Sequence, residues 1–132
     1  MAKNDITPYI NEVCRVSVNT ELVGTMVSDS DIRIDGKFKG DIFTKGKIVL
    51  GEKSRVEGKI FCQNIDVWGA IIGDVYASDS VVLKSTVDLK GTLKTLKLGI
   101  EVGAVFNGAC DIITPEEFEK LYEQNFPKSD IK

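Results

Sequence analysis

Apolar and polar residues alternate along most of the chain between about residues 16 and 112. Ile32, Ile34, Phe38 and Ile42 share one parity with Gly36 and Gly40, while Asp35, Lys37, Lys39 and Asp41 hold the other. A period of two is that of a strand with one buried face. The alternation resumes at Ile48 and Leu50, Ile65 and Val67, Val81 and Leu83, and Leu96, Leu98 and Ile100. Turn-forming stretches such as Gly51-Glu52-Lys53-Ser54 and Ser78-Asp79-Ser80 separate these runs. The pattern predicts many short strands joined by sharp corners.

A longer period lies over the alternation. An apolar–x–Gly–x–apolar phrase recurs six times, centred on Gly24, Gly40, Gly58, Gly73, Gly91 and Gly108, with steps of 16, 18, 15, 18 and 17 residues. Fixed periods of this length mark stacked architectures, in which each unit leans on its neighbours to bury its apolar face. Each phased glycine has the inward parity, which would weaken a flat strand but suits a bend, because a residue without Cβ turns tightly. Stacked in register, the glycines would line one edge. About 17 residues at ~3.3 Å give a perimeter of roughly 56 Å, and six windings at ~4.8 Å give a rod roughly 29 Å long. The expected fold is therefore all-β: a single-domain parallel β-helix, or β-solenoid, of about six windings filled by side chains. The competing fold is an antiparallel meander, to which Asp35-Gly36 and Asn107-Gly108 would contribute hairpin turns.

The flanks read differently. Residues 1–15 are polar and irregular, with Pro8 against early regular structure, and are expected to form a flexible tail ahead of a rod spanning residues 16–112. Within residues 113–132 the period changes. Thr114 is a good N-cap, Pro115 suits the first helical position, Glu117 completes a capping box, and Phe118, Leu121 and Tyr122 share a face until Pro127. This short helix could lie on the rod or cap its last winding.

A solenoid has two ends, each with unpaired strand edges over an open apolar core. Soluble solenoids blunt such ends with polar caps. Here the C-terminal end is expected to present Val102, Val105, Phe106, Cys110 and Ile112, and the N-terminal end Val16, Val18, Leu22 and Met26. Both sets are candidates for stacking against another copy. Phe43, Phe61 and Tyr76 each stand three residues after a phased glycine, so they are expected to form an outward aromatic ladder, either available for lateral or partner contact or partly shielded at a corner by neighbouring side chains.

Composition narrows the function. The 132 residues suffice for one domain, and the net charge of −3 argues against general nucleic-acid or membrane binding. No apolar run is long enough to span a bilayer, and the N-terminal residues do not form a signal peptide. Cys14, Cys62 and Cys110 are odd in number and far apart, which suits a reducing cytosol rather than a disulfide or zinc scaffold. Cys62 and Cys110 are expected to be small buried residues. The absence of histidine excludes Ser-His-Asp and Cys-His sites and histidine-ligated metals. No enzyme activity, cofactor or metal is expected. Residues 37–59 hold seven basic residues against three acidic ones, either a solvated face or an attraction for anionic partners.

From about Thr20 to Ile112 the chain resembles the bactofilins, a family of polymerising bacterial cytoskeletal proteins. The resemblance rests on Asp31-Ile32-Arg33-Ile34-Asp35-Gly36, on the serial pieces at Gly40, Gly58 and Gly73, and on Gly103-Ala104-Val105-Phe106-Asn107-Gly108. It implies a right-handed, triangular β-helix and nucleotide-independent filaments of subunits joined end to end. It also implies a bacterial cytoplasmic scaffold serving cell shape or the positioning of cell-wall or membrane-associated proteins, with membrane contact at most peripheral. A hexapeptide-repeat acyltransferase would need a catalytic histidine and a stricter six-residue phase, and calcium-binding repeats need a G-G-x-G-x-D run. The remaining alternative is a non-polymerising β-solenoid adaptor that docks a partner on the aromatic ladder.

Overall fold

The alternating residues build nine strands: β1 (Val13–Val16), β2 (Glu21–Ser28), β3 (Asp31–Ile34), β4 (Lys37–Thr44), β5 (Lys47–Leu50), β6 (Arg55–Val67), β7 (Ala70–Leu83), β8 (Asp88–Ile100) and β9 (Val105–Ile112). One helix follows, α1 (Pro115–Asn125). The computed structural model describes residues 13–126. The expected N-terminal tail therefore lies largely outside the described residues. Its last three residues belong to β1, so the rod begins at Val13.

Every strand pairing is parallel, which removes the antiparallel meander. Each winding contributes a rung to two ladders. One ladder runs through β1, β3, β5 and the C-terminal parts of β6, β7 and β8. The other runs through β2, β4, the N-terminal parts of β6, β7 and β8, and β9. The result is a parallel β-solenoid of about six windings. Asp35-Gly36, hairpin-like in sequence, is instead a corner, and Asn107-Gly108 lies within β9.

Register makes like residues sit on like residues. Phe38, Val56, Ile71 and Leu89 form one inward column, and Ile42, Ile60, Val75 and Leu93 another. Ile32, Ile48, Ile65 and Val81 form a third, and Ile34, Leu50, Val67 and Leu83 a fourth. All sixteen side chains are buried in one core cluster. Full burial of each such side chain is worth about 1.5–3 kcal/mol. Polar groups that point inward at the corners are satisfied locally. The Thr44 hydroxyl donates to the Ser30 carbonyl at 2.7 Å, and the buried Ser54 hydroxyl to the Gly51 carbonyl at 2.8 Å.

The phased glycines form the expected ladder at a third corner. Their φ values lie between 134° and 151°. A Cβ at Gly40, Gly58, Gly73, Gly91 or Gly108 would overlap the carbonyl oxygen of the glycine in the preceding winding. Two constraints thus meet at one position: a φ that L-residues avoid and a backbone approach that leaves no room for a side chain. Gly73→Ala is expected to lower stability by about 3 kcal/mol or more. Gly99→Ala, where φ is ordinary and nothing lies near the added Cβ, should stay within about 0.5 kcal/mol of the parent. Thermal melts of the two variants compare them directly.

Candidate interfaces at the ends and on the side of the rod

At the N-terminal end, β1 pairs only with β3 and β2 only with β4, so each keeps one free edge among the described residues. Val16 is buried, and Met26 is partly buried against the core. Val18 and Leu22 are 44% and 40% exposed, and Val23 and Val27 are exposed beside them. Leu22 heads the column of Phe38, so it is an inward side chain with nothing described beyond it.

At the other end, β9 pairs only with β8, and the last rung of the first ladder, Lys97–Ile100, pairs only with β7. Phe106 stacks on Leu89 and is partly buried against the core. Val102 is 98% exposed, and Val105 and Ile112 are exposed as well. Ile100, 51% exposed, belongs to this end although the sequence reading did not place it there. Its inward parity above Leu83 was the available signal. Cys110 sits above Leu93 in an inward slot yet is exposed, because no winding covers it. The expectation of a buried Cys110 fails for that reason, whereas Cys62 is buried as expected. Burial also pushes the Cys62 thiol pKa far up.

The aromatic ladder forms, and it points out of the solenoid core. The Phe43 and Phe61 ring centroids are 4.9 Å apart with planes 4° from parallel, and those of Phe61 and Tyr76 are 4.4 Å apart at 2°. With α1 docked it is covered rather than exposed, however, and this corrects the expectation of an open ladder. Phe43, Phe61 and Tyr76 are buried in a second cluster with Ile113 and Phe118. The chain leaves the last winding at Ile113, and α1 runs back along the side of the rod. Phe118 lies against Phe61, Tyr122 edge-on to Phe43 and Phe61, and Phe126 edge-on to Phe43. The helix therefore covers the side and leaves the end winding uncapped.

Helix α1 starts where the sequence placed it. The Glu117 N–H donates to the Thr114 hydroxyl at 3.2 Å, and the Thr114 N–H donates to the Glu117 carboxylate at 2.9 Å. That backbone bond, then the Thr114 hydroxyl, lowers the Glu117 pKa. The basic run of residues 37–59 does not make a single face. Lys37, Lys39 and Arg55 lie on one side of the rod with Glu57, Lys47 lies on another and pairs with Asp66 at 3.1 Å, and Lys59 reaches α1. Among the described residues, no group of His, Cys, Asp or Glu is arranged to hold a metal ion, and no helix is long and apolar enough to cross a membrane.

Stacked parallel windings, a solid apolar core and apolar side chains gathered at both ends define a structural β-solenoid. The chain belongs to the bactofilin family: residues 14–111 match the family's model, described as polymer-forming and cytoskeletal. It is 36% identical over 105 residues to bactofilin BacO of Myxococcus xanthus, covering 70% of this chain and 83% of that protein. It is 24% identical over 89 residues to bactofilin BacP of the same organism, covering 67% of this chain but only 37% of that longer protein. A mutant crystal structure of the bactofilin from Thermus thermophilus superposes with a TM-score of 0.64 at 29% identity, covering 67% of this chain and 99% of that one.

Two expectations follow for α1. Phe118→Ala removes its one fully packed side chain at a cost of about 3 kcal/mol, more than a helix this short holds by itself. Hydrogen exchange should show α1 unprotected while the strands keep their protection. Glu117 has a folded pKa below its unfolded value, so its contribution is complete above the ordinary glutamate range and is lost as pH falls through the lowered value. Acidification below about pH 4 should weaken the near-ultraviolet circular dichroism of the aromatic stack. Glu117→Gln should abolish that step.

Proposed function

We propose that this chain is the subunit of a bacterial cytoskeletal filament assembled by end-to-end stacking of β-solenoids. One observation carries the reading. Of the nine large apolar side chains exposed among the described residues, four lie on the first winding (Val18, Leu22, Val23 and Val27) and four on the last (Ile100, Val102, Val105 and Ile112). Only Ile72 lies between them. Single surface apolar residues are ordinary, but their concentration at the two free strand edges is not.

Stacking two ends buries apolar surface at ~25 cal/mol per Å² and pairs N–H and C=O groups that otherwise face water. Both gains are spontaneous, so assembly needs no nucleotide. Phe106 serves twice, packing on Leu89 below and offering its upper side to the joint. Such a filament would serve cell shape or hold cell-wall or membrane-associated proteins in place. The membership of a polymer-forming family supports this reading. The adaptor alternative loses its docking face, because α1 occupies the aromatic ladder.

Purified protein in nucleotide-free buffer is expected to form filaments visible by negative-stain electron microscopy. Phe106→Arg places a guanidinium in the joint and should leave short, soluble oligomers whose far-ultraviolet circular dichroism is still that of β-structure. Normal filaments from that variant would remove Phe106 from the joint.

A further inference from the structure

The aromatic ladder is a groove with a distinct chemical character. Its floor is the stacked column of Phe43, Phe61 and Tyr76, and the next rung of that column is Lys94. Lys59 stands on its edge and donates from Nζ to Asn125 Oδ1 at 3.1 Å. Lys45 lines the crevice between rod and helix opposite Glu119 and Glu123. The helix in the groove is complementary on both counts. It is acidic, with Glu116, Glu117, Glu119 and Glu123 against Lys120, and Phe118, Tyr122 and Phe126 recur every fourth position at the groove. The groove thus fits an acidic amphipathic helix with aromatic residues at i, i+4 and i+8.

We propose that the groove also takes α1 from a second copy, so that the helix exchanges between neighbouring subunits. The inference rests on the end-to-end reading, because three features point to a neighbour of the same kind. The helix leaves the rod at the winding that forms the proposed joint, linked to β9 by Ile113 and Thr114 alone. Thr114 is extended, with φ −87° and ψ 161°, and its capping box ties it to α1, so rotation about Ile113, ahead of the cap, re-aims the helix without unwinding it. At 1.5 Å per residue α1 is roughly 16 Å long and spans about three windings, enough to lie along a neighbour stacked on this end. Docking in cis also leaves Leu121, Tyr122 and Phe126 only partly buried. A free helix would favour its own groove through high effective concentration, but a neighbour held at the joint offers a second groove at comparable concentration. Exchange of this kind is a low-cost route to linking like subunits.

A cross-link across the Lys59–Asn125 contact tests this. One chain carries Lys59→Cys and another Asn125→Cys, both with Cys14→Ser and Cys110→Ser. Cys62 can remain, since its buried thiol is held protonated. The chains are mixed in equal amounts, assembled and treated with a short bis-maleimide. Exchange predicts an interchain product, and its loss when the Asn125→Cys chain also carries Phe118→Glu and Tyr122→Glu. An interchain yield no higher than in that control overturns the proposal. A chain carrying both cysteine substitutions that closes only on itself says the same. Electron microscopy of the same samples separates the two readings. Filaments without the interchain product sink exchange alone, whereas an absence of filaments sinks end-to-end stacking. In that second case the soluble mixture still decides exchange by the same comparison.

Discussion

The close stacking of one winding on the next governs this protein. At every phased glycine after Gly24 the carbonyl of the winding beneath occupies the place where a Cβ would stand. That contact sets the register: Gly24 on Gly40, Gly58 on Gly73, Gly73 on Gly91 and Gly91 on Gly108. A slip by one residue would bring a side chain into a space that has none, and it would also turn every apolar column outward. The glycine corner and the apolar core therefore enforce one another. Variation in repeat length, from 15 to 18 residues, is absorbed at the other corners. The bulges between Cys62 and Asn64 and between Ala77 and Ser80 lie there.

A structure built by adding like windings has no internal reason to stop. Inside the rod each inward side chain is covered on both sides, and Val56, Ile60, Ile71 and Val75 reach zero exposure. At the last winding the same slots hold Phe106, Cys110 and Ile112 with cover on one side only. The contrast between Cys62 and Cys110 shows it in one residue type. The first is buried and the second exposed, though both occupy inward slots. In the proposed filament, stacking on another copy would restore the missing cover, so that assembly would extend the same interaction that folds the subunit.

The side of the rod is handled differently. The outward column holds two phenylalanines and a tyrosine that water would disfavour, and the chain supplies its own cover in α1. Burial and the carboxylates of Asp29 and Glu119 raise the Tyr122 pKa, and burial and Asp74 raise that of Tyr76. Ends uncovered among the described residues and a side closed by α1 fit the proposed assembly along one axis.

The sequence by itself determined the solenoid, the phase of its glycines, the inward columns and the capping box of α1. Each of these is a local or periodic property, written in residue spacing: alternation for the strands, a glycine about every 17 residues for the corners, and Thr114 with Glu117 for the helix start. Only the tertiary structure decided what the helix covers, and with it the fate of Phe43, Phe61 and Tyr76. Periodicity shows that these rings leave the core, but not that Phe118, Tyr122 and Phe126 fold back on them. That contact joins segments 42 or more residues apart. The exposure of Ile100 was equally hidden, since an inward parity says which way a side chain points and the count of windings says whether anything lies above it.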